Sequence, residues 1–75
     1  MKFVVKHEIK GRIRVHFCQK RMTFEEADTL QYYLNSQEMI TSSKVQERTQ
    51  DATICYTGDR ASVIALLRSF HYEQV

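Results

Sequence analysis

The order of patterns along this chain predicts an α+β fold, with two helices packed on one face of a single antiparallel sheet. Three observations carry that prediction. From Phe3 to Phe17 the residues alternate with a period of two. Two later segments, opening at Thr23 and Asp59, bear apolar residues at helical spacing behind a residue able to cap a helix. Short alternating stretches bounded by turn formers lie between and after them.

The first element is the alternating run. Its odd positions read Phe3, Val5, His7, Ile9, Gly11, Ile13, Val15 and Phe17, while the even positions run Val4, Lys6, Glu8, Lys10, Arg12, Arg14 and His16. A period of two marks a strand buried on one side only. Gly11 is read as a bulge or bend that splits so long a run. His7, among the inward positions, is read as a satisfied, partly buried histidine.

Thr23 opens the first helix. Its hydroxyl can accept from the amide three residues on while Glu26 reaches back, the capping-box spacing Thr-x-x-Glu. Ala27, Leu30, Leu34 and one of Tyr32 or Tyr33 form the buried stripe. Glu25, Glu26 and Asp28 suit the positive end of the helix dipole.

Ile40 to Arg48 is a weaker strand, with Ser43 and Val45 inward and Lys44 and Gln46 outward. Thr49-Gln50-Asp51 turns the chain. Ala52 to Thr57 alternates clearly, with Ala52, Ile54 and Tyr56 on one face and Thr53, Cys55 and Thr57 on the other. Gly58-Asp59 ends that strand, and Asp59 caps a second helix built on Val63, Ile64, Leu66, Leu67 and Phe70. His71 to Val75 is expected as a short last strand. The full order, βαββαβ, is that of a ferredoxin-like fold.

The chain has 75 residues, the size of one small domain, so residues 1–75 are expected to form a single unit. With 43% apolar and 27% charged residues and no proline, the composition is globular. No apolar run approaches the ~20 residues of a membrane span and no signal-peptide pattern opens the chain, so a soluble cytosolic domain is expected. Cys18 and Cys55 are too few for a disulfide scaffold and match no zinc spacing, hence two reduced thiols. The net charge of +2 conceals an asymmetry. Met1 to Arg21 holds seven Lys or Arg against the single acid Glu8, whereas Met22 to Ile40 holds Glu25, Glu26, Asp28 and Glu38 with no base. That polarity describes an interaction surface.

No Gly-rich phosphate loop, Gly-x-Ser-x-Gly elbow or His-Glu-x-x-His pair occurs. Glu25 and Asp28 are read as helix-start acids, because no second group completes an acid–base constellation. No catalytic or cofactor-binding residue is predicted.

The segments KHEIKGRIRVHF, RMTFEEADTLQYYL and KVQERTQDATICY resemble the amino-terminal heavy-metal-associated-like domains of bacterial heavy-metal-translocating P-type ATPases, in the variant without paired cysteines. The resemblance runs from His7 to about Tyr72. Its most specific pieces are Gly11-Arg12-Ile13-Arg14-Val15 and the run from Glu47 to Tyr56. It implies an amino-terminal regulatory or interaction domain on the cytoplasmic face of the cell membrane, part of a larger transporter. The parent would use ATP and Mg to move a transition-metal cation through an aspartyl-phosphate. Its Asp-Lys-Thr-Gly-Thr phosphorylation motif is absent from these residues. The partners implied are other cytoplasmic domains of the same transporter and an anionic membrane surface.

The family's usual Met-x-Cys-x-x-Cys loop would place its ligands at Phe24 and Ala27 in one alignment, or at Thr23 and Glu26 in another. Neither holds a cysteine, so no two-thiolate site for a soft ion such as copper(I) is expected. His16, Cys18 and Met22, at and just after the end of the first strand, are the candidate donors for a weak transition-metal site. If Val15 faces Ile54, Cys55 opposes Arg14 and lies about four residues, ~13 Å, from Cys18, too far for a shared ion.

The uncovered sheet face is expected to show Lys6, Lys10, Arg12, Arg14 and Lys44 as an interaction face. The alternative function is a free-standing nucleic-acid-binding or protein-interaction module, since RNA-recognition modules share this arrangement. Those modules stack bases on aromatics of the central strands. Here the outward positions are Arg12, Arg14, His16, Thr53, Cys55 and Thr57, which disfavours nucleic acid.

Overall fold

The computed structural model describes residues 1–74. Alternation over Phe3–Phe17 does not make one strand. It makes a hairpin of β1 (Phe3–Ile9) and β2 (Arg12–Phe17). Lys10 and Gly11 form the connection, and Gly11 has φ 81°, a left-handed conformation that a residue without Cβ adopts readily. α1 (Phe24–Asn35), β3 (Ile40–Gln46), β4 (Asp51–Tyr56) and α2 (Arg60–Ser69) follow, and a 3-10 turn, Tyr72–Gln74, comes last.

The four strands form one antiparallel sheet in the order β1-β2-β4-β3. β2, α1 and β3 form a crossover with β4 inserted between the two strands, as expected of a ferredoxin-like sheet. The element order is nevertheless ββαββα, and the edge expected of a last strand is filled by the amino-terminal β1. The expected strand at His71 to Val75 is a 3-10 turn over Tyr72–Gln74, with Val75 outside the described residues. With β1 already paired to β2, the chain after α2 has no free place beside β2.

Each helix starts where its capping residue stands. Thr23 accepts from the Glu26 amide at 3.0 Å and Glu26 accepts from the Thr23 amide at 3.0 Å, closing the capping box. Asp59 accepts from the Ala61 amide at 3.2 Å. Ala27, Leu30 and Leu34 of α1 and Val63 and Leu67 of α2 are buried, together with Phe70 after α2. They meet Ile13, Val15, Phe17, Ile40, Val45, Ala52, Ile54 and Tyr56 in one core on one side of the sheet. Tyr33 packs on Phe70 with ring centroids 4.8 Å apart, and Tyr32 is the exposed member of that pair.

β1 carries a bulge between Val5 and His7. Val5 lies opposite Val15, His7 opposite Arg14 and Glu8 opposite Ile13, so beyond Lys6 the strand's faces are exchanged. Glu8 therefore turns to the helix side, where it accepts from Arg60 Nε at 2.7 Å and raises the Arg60 pKa above its ordinary value. His7, expected inward, is exposed on the open side. A bulge and a lysine also blunt this edge against pairing with another chain. The opposite edge is guarded by a bulge in β3 between Ile40 and Ser42, and by Gln31 of α1, whose Oε1 accepts from the Val45 amide at 2.8 Å.

Candidate functional site

The loop between β2 and α1 is where the resemblance would place a metal. The side chains of Thr23 and Glu26 meet there, each bonded to the other's backbone amide. Phe24 by contrast is 71% exposed and Ala27 is 4% exposed in the core. The pair at 23 and 26 is thus the one whose side chains converge, and it is committed to capping. Glu26 Oε1 also accepts from Gln19 Nε2 at 3.2 Å, and Gln19 donates to the Arg21 carbonyl at 2.7 Å. Tyr72 O–H donates to Gln19 Oε1 at 2.8 Å. From the other side Gln50, held at φ 61°, donates to the carbonyls of Phe17 and Gln19 at 2.9 and 2.8 Å. Burial, with the nearby Glu26 carboxylate adding to it, pushes the Tyr72 hydroxyl up to about 12, so it remains a donor. The loop is tied to the helix start, to the turn between β3 and β4 and to the chain beyond α2.

The donor candidates do not come together. Met22 is a core residue, 4% exposed, on the helix side of the sheet. A candidate donor just after the end of the first strand by its sequence position, it is held in the hydrophobic core instead. His16 stands on the open side, and its Nδ1 is 2.8 Å from Asp51 Oδ1. A carboxylate can only accept, so Nδ1 carries the proton of this bond. Cys18 is an exposed free thiol. Among the described residues, no group of three or more His, Cys, Asp or Glu side chains has the spacing to hold a metal ion. The register also differs from the one expected: Val15 faces Ala52 and Cys55 faces Arg12, which moves Cys55 to ~20 Å from Cys18 at strand rise.

The open face is ordered in rows by the register. One row is Val4, His16, Asp51 and Gln46; the next is His7, Arg14, Thr53 and Lys44; the third is Ile9, Arg12, Cys55 and Ser42. Arg12, Arg14 and Lys44 hold the places expected for them. Lys10 lies in the hairpin connection and Lys6 at the bulge, so neither stands in a row as alternation predicted. His7 and Ile9 take positions that reading missed. The ion pairs among the described residues are His16 with Asp51 and Arg60 with Glu8, so the three row cations face no carboxylate partner. Two shallow grooves of about 480 and 300 Å³ meet here, and Arg14 and Thr53 line both. The aromatic residues of the central strands, Phe17 and Tyr56, are buried on the helix side.

No protein-family model, curated protein or solved structure matches this chain. No helix is long and apolar enough to cross a membrane among the described residues.

Proposed function

We propose that this chain acts by contact rather than catalysis, as an amino-terminal docking domain of a heavy-metal-transporting P-type ATPase that presents its open sheet face to an anionic partner. The family part of the reading is supported by the motif resemblance of the segments from His7 to about Tyr72. The docking part is carried by one observation: Arg12, Arg14 and Lys44 share an uncovered face with no carboxylate paired to them. Unpaired cations on a rigid sheet steer and register an acidic partner even where they add little affinity. Tethering beside the parent's other cytoplasmic domains and the cytoplasmic membrane face raises the effective concentration, so weak contacts suffice. ATP and Mg belong to the parent in this reading, and the domain itself needs neither.

The test begins with the gene: transmembrane segments and an Asp-Lys-Thr-Gly-Thr motif are expected downstream of residue 75. In that parent, Arg12→Glu with Arg14→Glu should change the ATPase rate or its metal dependence. The isolated domain should keep its stability within ~0.5 kcal/mol, as exposed substitutions usually do. A reading frame without those features would sink the transporter assignment. A folded double variant with unchanged transport kinetics would sink the docking role.

A further inference from the structure

We infer that the middle row of the open face, His7, Arg14, Thr53 and Lys44, is a binding site for the phosphate group of a ligand. The inference deepens the docking reading of that face and rests on it. Register sets the row directly across all the strands, with Arg14 and Lys44 on either side of Thr53. Two strand spacings separate the Arg14 and Lys44 backbones by ~10 Å, a gap that two long side chains can close over a tetrahedral oxyanion. The Thr53 hydroxyl lies between them as a neutral donor. The guanidinium fork suits two phosphate oxygens at once and the ammonium supplies a point charge for a third.

What points to a ligand is the way acids are kept off this row. Glu8 would share the face with Arg12 and Arg14 if β1 alternated without interruption. The bulge at Lys6 turns it instead to Arg60 on the helix side, 2.7 Å away, and brings His7 opposite Arg14. The remaining acid of the face, Asp51, is engaged by His16 at 2.8 Å. Asp51 stands in the neighbouring row and lines the same groove, but its carboxylate is bonded to His16, and among the described residues neither Arg14 nor Lys44 has a carboxylate within ion-pair distance. The surface is also concave there, since the grooves of about 480 and 300 Å³ meet at Arg14 and Thr53.

The experiment titrates the whole chain, labelled with 15N, with inorganic phosphate at fixed ionic strength, using chloride as control. Saturable amide shifts are expected at His7, Arg14, Thr53 and Lys44, all following one curve. Arg14→Gln should weaken binding at least about tenfold, the loss of a charge-assisted hydrogen bond. Arg68→Gln, on exposed α2, should leave it unchanged. Vesicles of phosphatidylcholine with and without phosphatidic acid separate the sources of the group. Co-sedimentation with the acidic vesicles alone assigns it to a lipid headgroup; saturable phosphate binding without co-sedimentation assigns it to a soluble ester. Shifts that rise linearly, spread over Lys2, Lys20 and Arg21, and match those with chloride would overturn the inference. Absence of a phosphate site together with altered kinetics in the Arg12→Glu, Arg14→Glu parent would refute the phosphate chemistry and leave the docking role standing. Phosphate binding with an unaltered parent would do the reverse.

Discussion

Replacing Thr23 and Glu26 by cysteine tests the assignment of the β2–α1 loop. The double variant removes both halves of the capping box, two bonds of 3.0 Å, and the 3.2 Å bond from Gln19. Loss of a cap costs ~0.5–2 kcal/mol. Gln19 still donates to the Arg21 carbonyl, so its share is small. A total near 2 kcal/mol should lower the melting temperature of the metal-free variant by roughly 8–16 °C, since a domain of this size shifts by ~4–8 °C per kcal/mol. The new thiols replace side chains that already converge at a helix start, where a soft ion finds two sulfur donors and a positive dipole end. Free ion at a thousand times its dissociation constant would contribute ~4 kcal/mol, more than the loss. Thermal unfolding under reducing conditions, with and without chelator-buffered copper(I), reads both effects. An apo variant that melts with the wild type would show that the box contributes nothing. A folded variant that takes up no copper would show that 23 and 26 are not a ligand pair. The unaltered chain should bind no soft ion tightly, and stoichiometric binding lost in Cys18→Ser would overturn that expectation.

Gly11→Ala should destabilise by ~1–2 kcal/mol in urea unfolding, through its positive φ; the added Cβ would sit 3.5 Å from the Tyr56 carbonyl, an ordinary contact. Tyr72 ionises near 10.0 when unfolded and about 12 when folded, so its contribution to stability is complete below 10.0 and is lost as pH rises through about 12. Alkaline titration by tyrosinate absorbance should show a late step that Tyr72→Phe removes; an identical curve for both proteins would contradict this. Single-stranded RNA should bind weakly, with steep salt dependence and no base preference, because only ionic contacts are offered. Micromolar affinity with a clear base preference at physiological salt would favour a nucleic-acid module.

Both helices, their caps and the faces of β3 and β4 were legible because local rules decide them. Thr23 and Glu26 stand three apart, Asp59 precedes an apolar stripe, and Ala52, Ile54 and Tyr56 alternate without interruption. The break at Gly11 was legible, but the reversal of the chain there was not, for a geometric reason. A two-residue connection shifts the inward parity by one, and the bulge at Lys6 shifts it back. Phe3 and Val5 thus fall on the same odd numbers as Ile13, Val15 and Phe17, and the hairpin reads as one long strand. The same cancellation hid the true place of His7, since only residues between the two shifts change face. Arg12, Arg14 and Lys44 lie outside that interval and were placed correctly. The burial of Met22 was not legible because nothing local distinguishes a thioether in a loop from one that plugs a core.

Filling the sheet edge from the amino terminus also changes how the chain can fold. Pairing β1 with β2 closes a connection of two residues, Lys10 and Gly11, an event that takes microseconds. A carboxy-terminal strand in that place would have to return past both helices, and such long-range pairing slows folding. During synthesis the hairpin partners emerge consecutively and before either helix. The β2 edge is therefore covered while the helices are still being made, and the valine- and isoleucine-rich strands spend little time as unpaired templates for aggregation.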